Sequence, residues 1–178
     1  EVTVGTADYT FTSGNWDSAQ TVTLTGVNDD IIDVDTQTTV TITVVDASSD
    51  NNFDSLADQT VTVTTTDNEA AGFTKSQTTR TVTEAGGTAT FTLELDAEPA
   101  SNVVLRVTSA DTGEVTVGTA DYTFTAANWD SAQTVTLTGI NDDIIDVNTQ
   151  TTVTITVVDA SSDNNFDSLA DQTVTVTT

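Results

Sequence analysis

Through most of this chain apolar residues and threonine alternate at every second position, most plainly along Thr88–Leu95, Gln133–Thr138 and Thr151–Val158. A period of two sends successive side chains to opposite faces of an extended strand, so each run predicts a half-buried β-strand. Threonine is β-branched and suits the solvent face of a pleated sheet. No segment carries a helical period. The predicted strands are A at Arg80–Thr83, B at Thr88–Leu95, C at Val103–Thr108, D near Tyr122–Thr125, E at Gln133–Thr138, F at Thr151–Val158 and G at Gln172–Thr177, with a short extra segment at Glu114–Val117. Ala89, Phe91, Leu93 and Leu95 of B face inward, as do Val103, Leu105 and Val107 of C. Gly86-Gly87 and Pro99 punctuate two of the turns. About seven short strands at this spacing indicate an all-β fold, an immunoglobulin-like antiparallel β-sandwich.

The same pattern occurs twice. Glu114–Thr178 repeats Glu1–Thr65 at an offset of 113 positions, with Ser13/Ala126, Gly14/Ala127, Val27/Ile140 and Asp35/Asn148 as the four differences. A period of this length is that of a whole domain rather than a solenoid unit, so each unit is expected to have its own core. The tandem parses as residues 69–178, a complete repeat, preceded by residues 1–68, the C-terminal part of another with strands D to G. The first and last strands of a seven-strand sandwich end at opposite poles. The short connector at Thr66–Gly72 therefore cannot return strand A to the front fragment. That fragment is either trimmed from a larger chain or completed by strands from another molecule.

Composition narrows the function classes. Hydrophobic residues make up 36% and are spread evenly, which predicts a folded chain rather than an acidic tail. The net charge of −25, from 28 acids against Lys75, Arg80 and Arg106, repels phosphate backbones and anionic lipid. Nucleic acid and membrane are therefore poor partners, and no run approaches the length of a membrane span. The chain has no Cys and no His, which removes disulfides and most acid–base and nucleophile chemistry. Carboxylate pairs in solvated loops lack the apolar pocket that glycoside hydrolysis needs, so no enzyme is expected. Trp129 and Phe166, the large aromatics outside the strands, read as plugs at the open end of the sandwich.

Strand parity gathers the acids. In an up-and-down series the A–B, C–D and E–F connections share one pole. They bring Glu84, then Asp111, Glu114 and Asp121, then Asn141, Asp142, Asp143 and Asp146, with no Lys or Arg in those loops. Converging carboxylates raise one another's pKa unless a divalent ion lies between them. Hard oxygen ligands on flexible loops suit Ca²⁺ better than the stricter octahedron of Mg²⁺. The plain alternative is a set of solvated turn residues, because Asp and Asn favour turns.

Three stretches carry a family resemblance: Thr81-Val82-Thr83-Glu84-Ala85-Gly86-Gly87-Thr88, Gly118-Thr119-Ala120-Asp121-Tyr122, and Asn141-Asp142-Asp143-Ile144-Ile145-Asp146. Together they resemble the signature stretches of Calx-β domains, which occur in sodium–calcium exchangers and in long bacterial surface proteins. The resemblance covers essentially the whole repeat. It implies Glu84, Asp111, Asp121, Asp142 and Asp143 as Ca²⁺ ligands. Thr123, Phe124 and Thr125 stand where the exchanger pattern continues with acids, which implies fewer or weaker ions. In the front fragment Asp8, Asn28, Asp29, Asp30 and Asp33 remain, with Asp67 and Glu69 of the connector beside them. Asp163 and Asp167 of the following unit are expected to approach that junction from the other side.

The expectation is a non-catalytic, calcium-binding spacer or stalk at the bacterial cell surface, of the adhesin-like kind, with neighbouring repeats as its partners. Two alternatives stand beside it. One is self-assembly of identical chains into a sheath, surface layer or filament, by strand complementation or lateral packing. The other is a carbohydrate- or protein-binding module.

Overall fold

The structure is a computed structural model, and it describes residues 2–141 and 147–178. The chain divides into two compact units. The first comprises Glu1–Asp29 and Asp33–Asn68, and the second Asp30–Ile32 and Glu69–Thr178. Among the described residues every regular element is a strand, apart from two single 3-10 turns at Asp46–Ser48 and Asp159–Ser161.

The first unit holds β1 (Val2–Val4), β2 (Leu24–Gly26), β3 (Thr36–Ile42) and β4 (Gln59–Thr65). They form two separate antiparallel pairs, β1 with β2 and β3 with β4. None of its described residues is buried.

The second unit holds β5 (Phe73–Lys75), β6 (Thr79–Thr81), β7 (Thr88–Leu95), β8 (Val103–Ser109), β9 (Val115–Val117), β10 (Asp121–Phe124), β11 (Gln133–Gly139), β12 (Gln150–Val157) and β13 (Gln172–Thr177). One sheet runs β10-β8-β12-β13-β6 and the other β5-β7-β11-β9. Alternate residues of both sheets point into one core. Phe91, Leu93 and Leu95 of β7 with Val135 and Leu137 of β11 meet Leu105 and Val107 of β8, Val153 and Ile155 of β12, and Val174 and Val176 of β13. Each such side chain contributes ~1.5–3 kcal/mol by leaving water. The predicted β-sandwich is thus the observed one, with the inward faces where the alternation put them.

Two features differ from the alternation-based expectation. Strand A is broken in two. Its first half, β5, pairs antiparallel with β7, and its second half, β6, pairs parallel with β13 in the other sheet. Ser76 makes the break: its N–H donates to Thr92 O, and its hydroxyl accepts from Thr92 N–H. β5 escaped the sequence reading because three residues are too few to show an alternation. Its place is held by Lys75 Nζ, which donates to Gln172 Oε1 (3.0 Å), and by Gln172 Nε2, which donates to Phe73 O (2.6 Å).

The segment Asp30–Ile32 is the other departure. It belongs to the second unit, where Glu98 N–H donates to Asp30 O (2.8 Å) and Ile32 N–H to Glu98 O (3.3 Å). Ile32 packs against the core.

Candidate functional site

The strand register decides which loops meet. Ser109 at the end of β8 lies opposite Val153 near the start of β12, and Gln150 lies opposite Thr177 at the end of β13. Thr81 closes β6 beside Thr177, while Thr88 opens β7 beside Thr138 of β11. The A–B, C–D and E–F connections of the second unit therefore share one pole, with Glu84, Asp111, Glu114 and Asn141 on it.

Main-chain bonds stitch these loops together. Gly139 N–H donates to Gly87 O (3.0 Å), Ile140 N–H to Glu114 O (2.9 Å) and Val115 N–H to Asp111 O (3.0 Å). The turn after β6 needs its glycines. Gly86 sits at φ +80°, where only glycine is unstrained. A Cβ on Gly87 would lie 2.3 Å from Thr83 Oγ1.

The side chains are less convergent than the loops. Asp111 turns back on its own turn, its Oδ1 accepting from Gly113 N–H at 2.9 Å. Asp121 lies opposite Arg106 in the β8–β10 ladder, three residues short of the end of β8. The expectation that these acids lack cations fails for Asp121, because the partner comes from a neighbouring strand and not from a loop. Arg106 Nε donates to Oδ1 (2.7 Å) and Nη2 to Oδ2 (2.8 Å), a bidentate pair. That hydrogen bonding, with the guanidinium charge behind it, holds the Asp121 carboxyl below its ordinary range although partial desolvation opposes it. The adjoining Tyr122 is a core residue, whose phenol burial pushes upward against a hydrogen bond with Thr119.

Asp142, Asp143 and Asp146 lie outside the described residues. Among the described residues no group of three or more acids is placed to hold a metal ion. The fit to calcium is therefore incomplete on what is described: both oxygens of Asp121 are committed to Arg106, and one of Asp111 to a backbone amide.

In the first unit, Asp8 stands on exposed chain. Asp29 and Asp33 belong to that unit while Asp30 belongs to the second. The backbone N–H of Asp67 donates to Asp35 Oδ1 at 3.1 Å.

Asp163 has a role that sequence reasoning missed. It was expected to face a neighbouring repeat, yet it is only 6% exposed. Its Oδ2 accepts from Ser101 N–H and its Oδ1 from Asn165 N–H, both at 3.0 Å. It latches the F–G loop to the B–C turn of its own unit. The Asp-Asn-Asn spelling shows the local turn but not the distant amide. Phe166 beside it is fully buried, and Trp129 packs against the core with its carbonyl accepting from Leu95 N–H.

No protein-family model and no curated protein matches this sequence. Several solved structures align with part of this chain. The Caenorhabditis elegans MSP family member WR4 aligns at TM-score 0.43 and 11% identity, over 58% of this chain and 94% of that one. The Escherichia coli chaperone DraB gives 0.44 and 7%, over 61% and 54%. Domains 4 and 5 of the S-layer protein SbsC give 0.43 and 22%, over 67% and 51%. At such scores they bear on no question of ligand or activity.

Proposed function

We propose that this chain is a non-catalytic structural repeat, a run of β-sandwich units whose work is to supply length outside a cell. The observation that supports this most directly is the near-identity of Glu1–Thr65 and Glu114–Thr178. Recognition of a ligand requires one particular surface, whereas a spacer requires many equal units, and nearly invariant copies serve the second need. The Thr-faced strands, the apolar core of the second unit and the high negative charge are compatible with a hydrated stalk.

The resemblance to Calx-β domains extends the reading to calcium. Its candidate donors are Glu84 and Asp111 at the shared pole, with Asp142, Asp143 and Asp146, which lie outside the described residues, as the resemblance implies them, and with Asp121 removed by Arg106. Bound there, Ca²⁺ would neutralise carboxylates and stiffen the array.

Small-angle scattering on two complete repeats, with Ca²⁺ and with EGTA, tests this. A longer, stiffer particle in Ca²⁺, with calorimetric binding to the same material, is the expected result. Equal flexibility in both buffers together with no heat of binding removes calcium from the reading. Catalytic turnover of any substrate would remove the spacer itself.

A further inference from the structure

Strand A of the second unit is anchored at both ends and paired along its length. Phe73 opens β5 and Val82 follows β6, and each is only 4% exposed, with its side chain in the core. β5 runs antiparallel to β7, from Phe73 opposite Leu95 to Lys75 opposite Leu93. β6 runs parallel to β13, with Thr79 beside Thr175, Arg80 beside Val176 and Thr81 beside Thr177. The bonding continues past the strand ends. Thr175 N–H donates to Thr78 O and Val82 N–H to Thr177 O, both at 2.9 Å.

Parallel pairing of the first strand with the last has a mechanical consequence. β5 opens where β7 ends, at the B–C turn, while β13 ends beside Thr81, at the pole of the A–B turn. The start of strand A and the end of strand G thus lie at opposite poles, with β6 and β13 side by side between them. Tension on those two points draws β6 toward one pole and β13 toward the other, along their common axis. Every bond between the strands is then loaded at once, and none gives until all give together. In an antiparallel pairing the two points would lie at one pole, and the bonds would open singly from that end.

Further contacts resist the same sliding. Gln172, at the start of β13, holds β5 by two side-chain bonds, accepting from Lys75 Nζ (3.0 Å) and donating to Phe73 O (2.6 Å). A displacement of strand A by one residue would also turn Phe73 and Val82 out of the core, because successive residues face opposite sides.

The repeat brings tension to these strands. In the first copy Gln59–Thr65 corresponds to Gln172–Thr178, and β5 opens shortly beyond it at Phe73. Strand G of one copy leads directly into strand A of the next, so a pull along the chain passes from G to A.

We propose that the contact of β5 and β6 with β13 is a mechanical clamp, which holds the second unit against tension applied along the chain. This rests on the spacer reading and gives that spacer a load-bearing function. Forced unfolding follows the unfolding rate and not the equilibrium, so the contacts that break first set the force.

Single-molecule pulling of the full chain in two geometries tests the clamp. The chain has no Cys, so introduced thiols make unique handles. Thr66→Cys with a cysteine added after Thr178 loads the clamp along its axis. Ala85→Cys, in the exposed A–B turn, with the same terminal cysteine pulls from one pole and peels β6 from β13. At equal loading rate the first geometry should unfold the second unit at about twice the force of the other, or more. Val82→Pro deletes the donor to Thr177 O and should lower the force in the first geometry by about half. Gln172→Ala should lower it too, and serves where the proline variant does not fold. Equal forces in the two geometries overturn the clamp. So does a loss of force that both variants show equally in both geometries, which is general destabilisation. A spacer need not bear load, so either failure leaves the spacer reading to its own scattering test.

Discussion

Arg106 and Asp121 form a two-bonded ion pair across the β8–β10 ladder, at 2.7 and 2.8 Å. Both side chains remain nearly half exposed, at 47% and 44%. The pair ties the Gly-Thr-Ala-Asp-Tyr turn to strand C and occupies a carboxylate that the Calx-β pattern would assign to metal.

That pairing gives a pH signature. The folded Asp121 carboxyl has a lowered pKa, so its contribution to stability is full above the ordinary value of about 4. It is lost as pH falls through the folded value. Acidification also relieves the self-repulsion of a strongly negative chain, and comparison with Asp121→Asn cancels that common effect. The melting-temperature gap between the two proteins should be steady from neutral pH to about pH 5 and should close in stronger acid. It should narrow in high salt, because the pair is exposed. A gap independent of both pH and salt would contradict the pairing.

Gly139 and Gly26 occupy the same place in the two copies with different neighbours. A Cβ on Gly139 would lie 2.3 Å from Thr83 O and 3.0 Å from Val82 Cγ2, whereas on Gly26 it meets only Thr65 Cγ2 at 3.3 Å. Gly139→Ala should cost about 1–3 kcal/mol in denaturant unfolding, because backbone must move to admit the methyl group. Gly26→Ala should cost far less.

The phenylalanine pair offers the corresponding core test. Phe124→Ala removes a fully buried ring and should destabilise the second unit by about 3–5 kcal/mol. Phe11→Ala removes an exposed ring and should stay within about 0.5 kcal/mol. Equal costs in urea titrations would mean that the first unit is packed in solution.

Asp163→Ala leaves the amides of Ser101 and Asn165 without their carboxylate. A loss of about 1–3 kcal/mol is expected, with faster amide exchange at both residues. The carboxylate of Asp50, its exposed counterpart, accepts from the neighbouring Asn52 through Oδ1, so Asp50→Ala should be nearly silent.

The sequence by itself determined the fold class, the repeat and the inward faces. Strand periodicity is a local property: where Phe91, Leu93 and Leu95 alternate with threonine, one face must be buried whatever the partner. Strand parity likewise placed the Glu84, Asp111 and Asn141 loops at one pole. Tertiary structure alone decided what those local patterns meet. Arg106 finds Asp121 only through the β8–β10 register, and strand A divides between two sheets only because β7 and β13 stand ready to pair with its halves. Phe11 and Phe124 make the physical reason plain. Identical neighbours in sequence leave one ring in water and bury the other, since burial belongs to the strands that cover a residue and not to the residue.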